Sequence, residues 1–424
     1  MAINNKRSLL SSPARVQSPW VKVTLGDYTF GVFDQKTKPK KDQFGAFMQY
    51  NVQYPNYIKS LNIVKINGQI NQYTLSLHYP VTQNDDPNLI DKILSSVSQT
   101  RKIIFSYGDA ATPAYTYKDE EAIITGVTQV FSLETSTIQY TIKAVSTASL
   151  ATSGSFTFVN SGLKKPSDEI KRVFKANSTY GLRDLFTGMS LANFDDLVAG
   201  DDKAVELQTK VNISPLDYIT YLVGCMVPAG STTSNVSTDI YILTLHDETV
   251  FDSFYSDTAS LGGPYFKVTR TSYLQEHADA YEVDIGYNTS TIVLGFAIEN
   301  QENYSLLYDY NSKLSPSSYA RRLNSKGQWE DVYAPMVTSG NDQFLTRPED
   351  VVWFTKMTQY PISATIKVQG LLRPAHLMQF LRLNVIFPGG HKHTSSGLYI
   401  ITKQVDDIGE TGYFTTLSLT RISD

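Results

Sequence analysis

The sequence contains a single cysteine, Cys225, among 424 residues. No intrachain disulfide can form, so we expect packed apolar cores to stabilise the fold. An excess of charge of one sign is also missing, since 37 Lys and Arg residues stand against 41 Asp and Glu residues without long runs of either. A net charge of -4 without a basic tract argues against binding to nucleic acid or anionic lipid. We therefore expect the partners to be proteins, with no sequence-specific nucleic acid among them.

Long apolar runs are absent as well. The most apolar helical stretch, residues 219–227, follows Asp217 and ends at Pro228. It is far shorter than the roughly 20 residues that cross a bilayer. Residues 8–13 are too few and too polar for the apolar region of a signal peptide. We expect no membrane span and a protein that stays in the compartment where it is made.

Catalytic and cofactor-binding motifs are lacking too. The sequence has no Gly-x-Ser-x-Gly, no phosphate-binding Gly-rich loop, no His-Glu-x-x-His and no calcium loop. Three sets of residues still allow a chemical interpretation, as a metal site, a glycosidase carboxylate pair or a nucleophile: His391 with His393, Asp119-Glu120-Glu121 with Glu299 and Glu302, and Cys225. We interpret the histidines as part of a solvated turn, the carboxylates as charges that keep loops hydrated, and Cys225 as a buried structural thiol. The sequence thus predicts no catalytic, cofactor or metal site and no enzyme.

The pattern of apolar residues predicts a mainly β protein with α+β parts. The length suggests about three domains. We expect two related tube-like β-barrel domains, a helical or mixed middle domain and an insertion. The predicted boundaries are an N-terminal arm at 1–20, a first barrel at 21–150, a middle domain at 151–232, and a second barrel at 233–424 with an insertion around 296–345.

Strand signals are strongest in the first domain. Val21, Val23 and Leu25 alternate with polar residues, which is typical of a strand with one buried face. The segments 61–66 and 73–79 flank Asn67-Gly68, a pair that favours a tight hairpin. Further strands are predicted at 102–107, 122–130 and 137–145, and after the middle domain at 240–245, 265–271, 281–287, 364–368, 383–387, 398–405 and 413–422.

Helices are predicted in three parts of the chain. Asp86 and Pro87 read as the N-cap and first residue of a helix that ends near Arg101. The stretch from 166 to 228 has helical periodicity, and its best helix starts at Ser214, a capping residue before Pro215. Thr346-x-x-Glu349 is a capping box that predicts another helix.

Two distant segments resemble each other. Residues 122–146 and 399–423 both begin with an Ile-Ile-Thr strand, contain Glu-Thr in the connecting turn and close with a second strand. If both hairpins belong to related domains, a trimer would present six similar domains around one axis.

The C-terminal segments 362–370, 396–401 and 412–419 resemble the end of phage baseplate hub proteins, the group that includes the late control gene D proteins. That family has a strand ending in Gly, then a small-Gly-aromatic strand, then a Gly-aromatic-Thr closing strand. The resemblance covers about the last 75 residues clearly, and residues 103–109 and 123–126 fit the family's first barrel less specifically.

The resemblance implies a homotrimeric hub in the virion tail baseplate, made in the host cytoplasm. Its two barrels per subunit would adapt the sixfold tail tube to the threefold spike and line part of the DNA conduit. The implied partners are further copies of the chain, the tail tube protein, the central spike protein and the baseplate wedge proteins. No active site is implied.

Two other functions remain open from the residues alone. The carboxylates named above allow a phage tail-associated cell-wall hydrolase. The 27 tyrosines allow a glycan-binding adhesin, because aromatic faces stack on sugars. We favour tyrosines that cover half-buried strand faces and fill protein interfaces.

Overall fold

The computed structural model describes residues 19–32, 57–81, 86–109, 117–174, 202, 204–226, 241–246, 265–270, 279–284, 293–300, 319–323, 329–333, 362–370, 377, 380–387 and 390–423. Strands predominate in these ranges, which confirms the prediction of a mainly β protein. The helices found there are all too short to span a bilayer. The predicted helix that begins at the Thr346 capping box lies outside the described residues.

The described residues form 21 strands and three α-helices. The first seven strands are β1 (Pro19–Leu25), β2 (Tyr28–Val32), β3 (Ile58–Ile66), β4 (Gln72–Pro80), β5 (Lys102–Asp109), β6 (Tyr117–Ser132) and β7 (Thr137–Ser146). The next six are β8 (Phe156–Phe158), β9 (Leu163–Lys164), β10 (Val205–Glu206), β11 (Lys210–Ile213), β12 (Tyr241–His246) and β13 (Tyr265–Arg270). The last eight are β14 (Asp279–Asp284), β15 (Val293–Asn300), β16 (Tyr319–Leu323), β17 (Trp329–Tyr333), β18 (Ile362–Gln369), β19 (Phe380–Ile386), β20 (Gly397–Gly409) and β21 (Gly412–Ser423). The helices are α1 (Leu89–Ser96), α2 (Pro166–Phe174) and α3 (Pro215–Cys225).

Thirteen of these strands form one sheet. Its main path runs β15-β18-β21-β20-β3-β4-β7-β6-β5-β1-β2, and β19 joins β20 to β14 at the side. The β14–β19 pair is parallel, whereas the pairs along the main path are antiparallel. Four separate two-stranded sheets use β8 to β13, β16 and β17.

The strand predictions near the N-terminus are confirmed. In β1, Val21, Val23 and Leu25 are buried, as the alternation predicted. The β3–β4 hairpin turns at Asn67-Gly68, where Gly68 has a φ of 69°, a conformation that glycine adopts without strain. Strand β6 continues to Ser132, two residues beyond its predicted end.

Two of the predicted helix starts lie in the described residues, and their outcomes differ. Helix α3 begins at Pro215 as expected, and the Ser214 hydroxyl accepts a hydrogen bond from the Asp217 N–H at 3.1 Å. Helix α1 begins at Leu89 rather than at Pro87. The Asp86 carboxylate instead accepts from the Asn88 N–H at 3.0 Å, so it organises the turn before the helix.

Three apolar cores lie along the chain. The first is built by β1 to β7 and α1 and also contains Ile408 and Tyr413. The second is built by β18 to β21, with partly buried side chains from β15 packed against it. The third surrounds α2 and α3 and includes Leu243, Leu245 and Val268 from β12 and β13. The domain boundaries given above stay a prediction.

Candidate functional site

Two groups of strands at opposite ends of the chain share one arrangement. Unit 1 consists of β3, β4, β5, β6 and β7, which lie side by side as β3-β4-β7-β6-β5. Unit 2 consists of β15, β18, β19, β20 and β21, which lie as β15-β18-β21-β20-β19 and follow each other along the chain in the same order. The similarity between residues 122–146 and 399–423 therefore extends to five strands in each unit.

Both units also contain the same irregularity. The β6–β7 register shifts at Thr125, and the β20–β21 register shifts at Thr402. The Thr125 hydroxyl donates to the Lys143 carbonyl at 3.2 Å, and the Thr402 hydroxyl donates to the Ser418 carbonyl at 3.2 Å. The two units thus have a bulge with the same side-chain hydrogen bond at matching positions.

The two units are joined through β20. Its first residues, 397–400, pair with β19 inside unit 2. Its later residues, 403–409, pair with β3 of unit 1. We call residues 403–415 the junction hairpin, because this part of unit 2 packs on the core of unit 1 through Ile408 and Tyr413.

A buried ion pair lies in unit 1 beneath this junction. Glu120 is fully buried and accepts hydrogen bonds from the Lys65 ammonium at 2.8 Å, from the Tyr107 hydroxyl at 3.0 Å and from the Tyr73 hydroxyl at 2.9 Å. The Lys65 Nζ also lies 4.3 Å from the centre of the Tyr117 ring. A buried carboxylate is tolerated in a protein only with such a complete set of partners.

A second buried carboxylate belongs to the junction hairpin. Asp406 Oδ1 accepts from the Thr415 hydroxyl at 2.7 Å and from the Tyr413 hydroxyl at 3.2 Å, and its Oδ2 accepts from the Gln404 amide at 2.6 Å. The same amide lies 3.2 Å from the Tyr117 hydroxyl of unit 1. Tyr117 therefore connects the two carboxylates into one polar cluster that spans the junction.

Burial controls protonation in this cluster. Burial raises the pKa of Asp406, and the hydrogen bond from Thr415 and the positive charge of Lys65 oppose the rise. Burial, followed by the charge of Glu120, raises the pKa of Tyr107 well above its usual value. Burial and the charge of Asp406 do the same to the pKa of Tyr413. Both hydroxyls thus stay protonated and serve as donors to the carboxylates.

The raised pKa of Asp406 predicts a pH-dependent effect of Asp406→Asn. The folded state binds this proton more tightly than the unfolded state, whose Asp has a pKa of about 3.9. The contribution of the group to stability is fully present below that value and is lost as the pH rises through the folded-state pKa. Relative to wild type, we expect Asp406→Asn to gain stability as the pH rises from about 4.

Thermal unfolding of both proteins between pH 4 and pH 8 measures this effect. Gln404 Oε1 has no hydrogen-bond partner among the described residues, so a flipped Gln404 amide can accept from the asparagine amide that the substitution introduces. Comparing the two proteins at each pH cancels the titration of the other carboxylates. A difference in unfolding midpoint that stays constant, or that moves against the variant at higher pH, would contradict the prediction.

The counterpart of the junction hairpin in unit 1 lies at the surface. We call residues 126–136, which form the end of β6 and the turn before β7, the exposed arm. Its Val127, Val130 and Phe131 side chains are 41%, 53% and 65% exposed. Strand β5 pairs with β6 only as far as Ile123, and along the rest of β6 no other described strand occupies that edge. The arm combines a strand edge that no described strand covers with exposed apolar side chains, which is typical of a protein-binding surface.

The residues singled out for chemistry are dispersed. We expected Glu120 to be a hydrated loop residue, and this is wrong. Its side chain is buried in unit 1, where Lys65 and two tyrosines bind it. Asp119 is exposed, and Glu121 pairs with Lys102 at the surface. Glu299 lies on β15, and Glu302 falls outside the described residues.

The histidine and cysteine candidates have other surroundings. His391 is exposed, and the His393 ring lies 2.7 Å from the Ser395 hydroxyl and 5.4 Å from the centre of the Phe387 ring. Within the described ranges, no three His, Cys, Asp or Glu side chains are grouped to hold a metal ion. Cys225 is buried at the end of α3.

Sequence reasoning missed most of the polar cluster. One signal was present, since Lys65 continues the inward alternation of Leu61 and Ile63, and a lysine on that face requires a buried partner. Asp406 alternates in the same way with Ile408. Several tyrosines also lie deeper than the half-buried positions we expected. Tyr73, Tyr107 and Tyr140, for example, are almost fully buried.

Comparison with solved structures shows which fold this is. A tail protein from Neisseria meningitidis MC58 has 10% identity and a TM-score of 0.50, over 95% of this chain and 97% of that one. The 43 kDa tail protein of prophage MuSo2 from Shewanella oneidensis has 10% identity and a TM-score of 0.49, over 96% of this chain and 97% of that one. The E. coli c3393 protein, a component of the type VI secretion system, has 10% identity and a TM-score of 0.45, over 88% of this chain and 76% of that one.

No family model and no curated protein matches the sequence. At 10% identity, the likeness to the Neisseria protein concerns the fold alone. The chain therefore has the fold of a tail protein.

Proposed function

We propose that this chain is the central hub of a bacteriophage contractile-tail baseplate, a homotrimeric ring between the sixfold tail tube and the threefold central spike. The observation that carries the proposal is the presence of two matching five-stranded units in one chain, joined by β20 and β3 into one sheet. Three such chains around one axis carry six similar units, so one face can match a sixfold partner while the whole ring keeps threefold symmetry.

Two further observations support this function. The fold is that of a tail protein, over nearly the full length of both chains. The C-terminal strands β18, β20 and β21 occupy the segments whose sequence resembles the hub family. In β18 and β21, Ile366 pairs with Leu417, so the segments that carry the resemblance are neighbours in the core of unit 2.

The partners follow from the same proposal. The ring binds the tail tube protein on one face, the spike protein on the other and wedge proteins around its rim, and its axis forms part of the DNA conduit. It acts as a structural component of the virion tail baseplate, is made in the host cytoplasm and has no catalytic turnover.

The two alternative functions have less support. A cell-wall hydrolase needs two accessible carboxylates, and Glu120, at the centre of the strongest acidic set, is enclosed by Lys65, Tyr73 and Tyr107. A glycan-binding adhesin needs exposed aromatic faces, and seven of the described tyrosines are instead fully buried in the cores, namely Tyr73, Tyr79, Tyr107, Tyr140, Tyr218, Tyr241 and Tyr399. Protein assembly agrees better with both observations.

The first test is the mass of the native protein in solution, measured by light scattering at several concentrations. One chain has a mass of 47.4 kDa, and we expect a stable species at three times that value. Negative-stain images of this species should show a ring with six similar lobes. A strict monomer over the whole concentration range would overturn the proposal and would direct attention to glycan binding and hydrolysis.

A further inference from the structure

The proposed ring requires that neighbouring chains bind each other, and the junction inside the chain indicates how. We propose that residues 126–132 of β6 pair antiparallel with β15 of the next copy of the chain, in the register that β20 adopts with β3 within one chain. The inference deepens the proposed function and rests on it, because it specifies the contact that closes the ring.

The first argument is the equivalence of the strands. The shared bulge at Thr125 and Thr402 aligns β6 with β20. Strands β3 and β15 also correspond, because each shifts register against its neighbour at its first residues, after Ile58 in β3 and after Val293 in β15. Inside the chain, the later half of β20 pairs with β3. The corresponding edges are the side of β6 beyond Ile123 and the outer side of β15. Neither has a strand partner among the described residues.

The second argument is a difference in burial on β6. Gln404, Asp406 and Ile408 of the junction hairpin are buried, at 4% exposure or less, because unit 1 covers them. The residues at the corresponding positions of the exposed arm are Val127, Gln129 and Phe131. They lie on the face that continues the core side of β7, yet Val127 is 41% and Phe131 is 65% exposed. A second molecule that contributes its unit 2 would cover them.

The third argument is the matching difference on β15. Leu61 and Ile63 of β3 are fully buried at the junction. Their counterparts on β15, Phe296 and Ile298, are only partly buried against the core of unit 2. Each unit thus has one apolar edge that is incompletely covered. The two edges are complementary because β6 corresponds to β20 and β15 corresponds to β3, and β20 pairs with β3 inside the chain.

The equivalence gives a definite register. Within the chain, Asp407 lies opposite Asn62 and Ile408 lies opposite Leu61. Transferred to the contact between chains, Val130 lies opposite Ala297, and Phe131 lies opposite Phe296. An aromatic pair then occupies the position that Ile408 and Leu61 occupy inside the chain, and such cross-strand pairs stabilise sheets.

The contact is head-to-tail, which is the type of contact from which a ring is built. A chain that offers β6 to one neighbour offers β15 to the other, which is a heterologous interface. Two further edges of the described sheet are open, those of β2 and β14, and neither strand corresponds to β6 or to β3. We therefore assign them no role in this contact.

Engineered cysteines test the register. At the junction the Asn67 N–H donates to the Thr402 carbonyl at 3.1 Å, so this facing pair is hydrogen-bonded and the alternate pairs are not. Asp407 and Asn62 lie five residues further and form a non-hydrogen-bonded pair, whose Cβ atoms approach most closely. By equivalence, Val130→Cys with Ala297→Cys should form disulfides between chains under mild oxidation.

Matched variants control for chance collisions. Thr128→Cys with Gly295→Cys uses two exposed positions on the same strands, but four residues out of register, about 13 Å apart. An added Cβ at Gly295 meets nothing closer than 3.7 Å, so this variant should fold. As a positive control, Asn62→Cys with Asp407→Cys should lose its two new thiols to an intrachain bond. Native Cys225 is buried and stays in every variant.

Denaturing gels without reductant distinguish the outcomes. We expect the Val130/Ala297 variant to reach a covalent trimer at least ten times faster than the Thr128/Gly295 variant, and each single cysteine variant to stay uncross-linked. If the protein is a trimer by mass but the two double variants form disulfides at equal rates, this strand pairing is overturned and the hub function still stands. The same holds if the Val130→Cys single variant forms disulfides between chains. A monomer by mass that forms no cross-link would overturn both.

Discussion

Replacing Lys65 by methionine is expected to lower the free energy of unfolding by about 3–5 kcal/mol, the usual cost of removing one partner of a buried ion pair. Methionine fills much of the space of the lysine stem but leaves the Glu120 carboxylate inside unit 1 without its cation. The two tyrosine hydroxyls that also bind Glu120 cannot neutralise its charge. Urea unfolding at one fixed protein concentration measures the loss.

The neighbouring residue on β6 provides the matched control. Glu121 pairs with Lys102 on the outside of the sheet, where the side chains are 37% and 45% exposed. Lys102→Met makes the same chemical change in a surface pair and should cost at most about 1 kcal/mol. Adding Glu120→Gln to Lys65→Met should restore part of the loss, because the buried charge is then gone. Equal losses for the two single variants would mean that the buried pair has no special role.

The second large effect is expected for Gly370→Ala. Gly370 follows β18, and its N–H donates to the Tyr413 carbonyl at 2.6 Å. A Cβ at this position would lie 2.5 Å from Cγ and 2.6 Å from Cδ1 of the Tyr413 ring. The ring cannot move aside easily because its hydroxyl binds the buried Asp406. We expect a loss of about 3 kcal/mol, the upper part of the usual range for overpacking.

Gly126→Ala is the control for this substitution. An added Cβ at Gly126 meets no atom within 4 Å, and the corresponding residue of β20 is Lys403. Its effect on the free energy of unfolding should stay within about 0.5 kcal/mol. If Gly370→Ala proved as mild as Gly126→Ala, the close approach of β18 to Tyr413 would not be a constraint on the fold.

Local signals in the sequence predicted the local structure well. Asn67-Gly68 placed the β3–β4 hairpin, and Ser214 before Pro215 placed the start of α3, because both depend on neighbouring backbone groups. The start of α1 was wrong because the Asp86 carboxylate binds the backbone of the turn instead of the first turn of the helix. Such competition between two nearby acceptor positions is not visible in residue types alone.

The arrangement that joins the two units was not predictable in this way. The resemblance between residues 122–146 and 399–423 indicated related hairpins, but it could not reveal that β20 leaves unit 2 to pair with β3. That pairing depends on contacts between distant segments. For the same reason, Glu120 read as a solvated charge, since its partner Lys65 is 55 residues away.

The junction hairpin also has a consequence for synthesis of the chain. Asn62 and Asp407, which face each other across β3 and β20, are separated by 345 residues. At a translation rate of about 5–20 residues per second, roughly 17–70 s pass between the synthesis of β3 and the synthesis of its partner strand β20. During that time Leu61 and Ile63 lie at an open strand edge, so a nascent chain is most exposed to wrong strand pairing, and to capture by chaperones, before its last residues emerge.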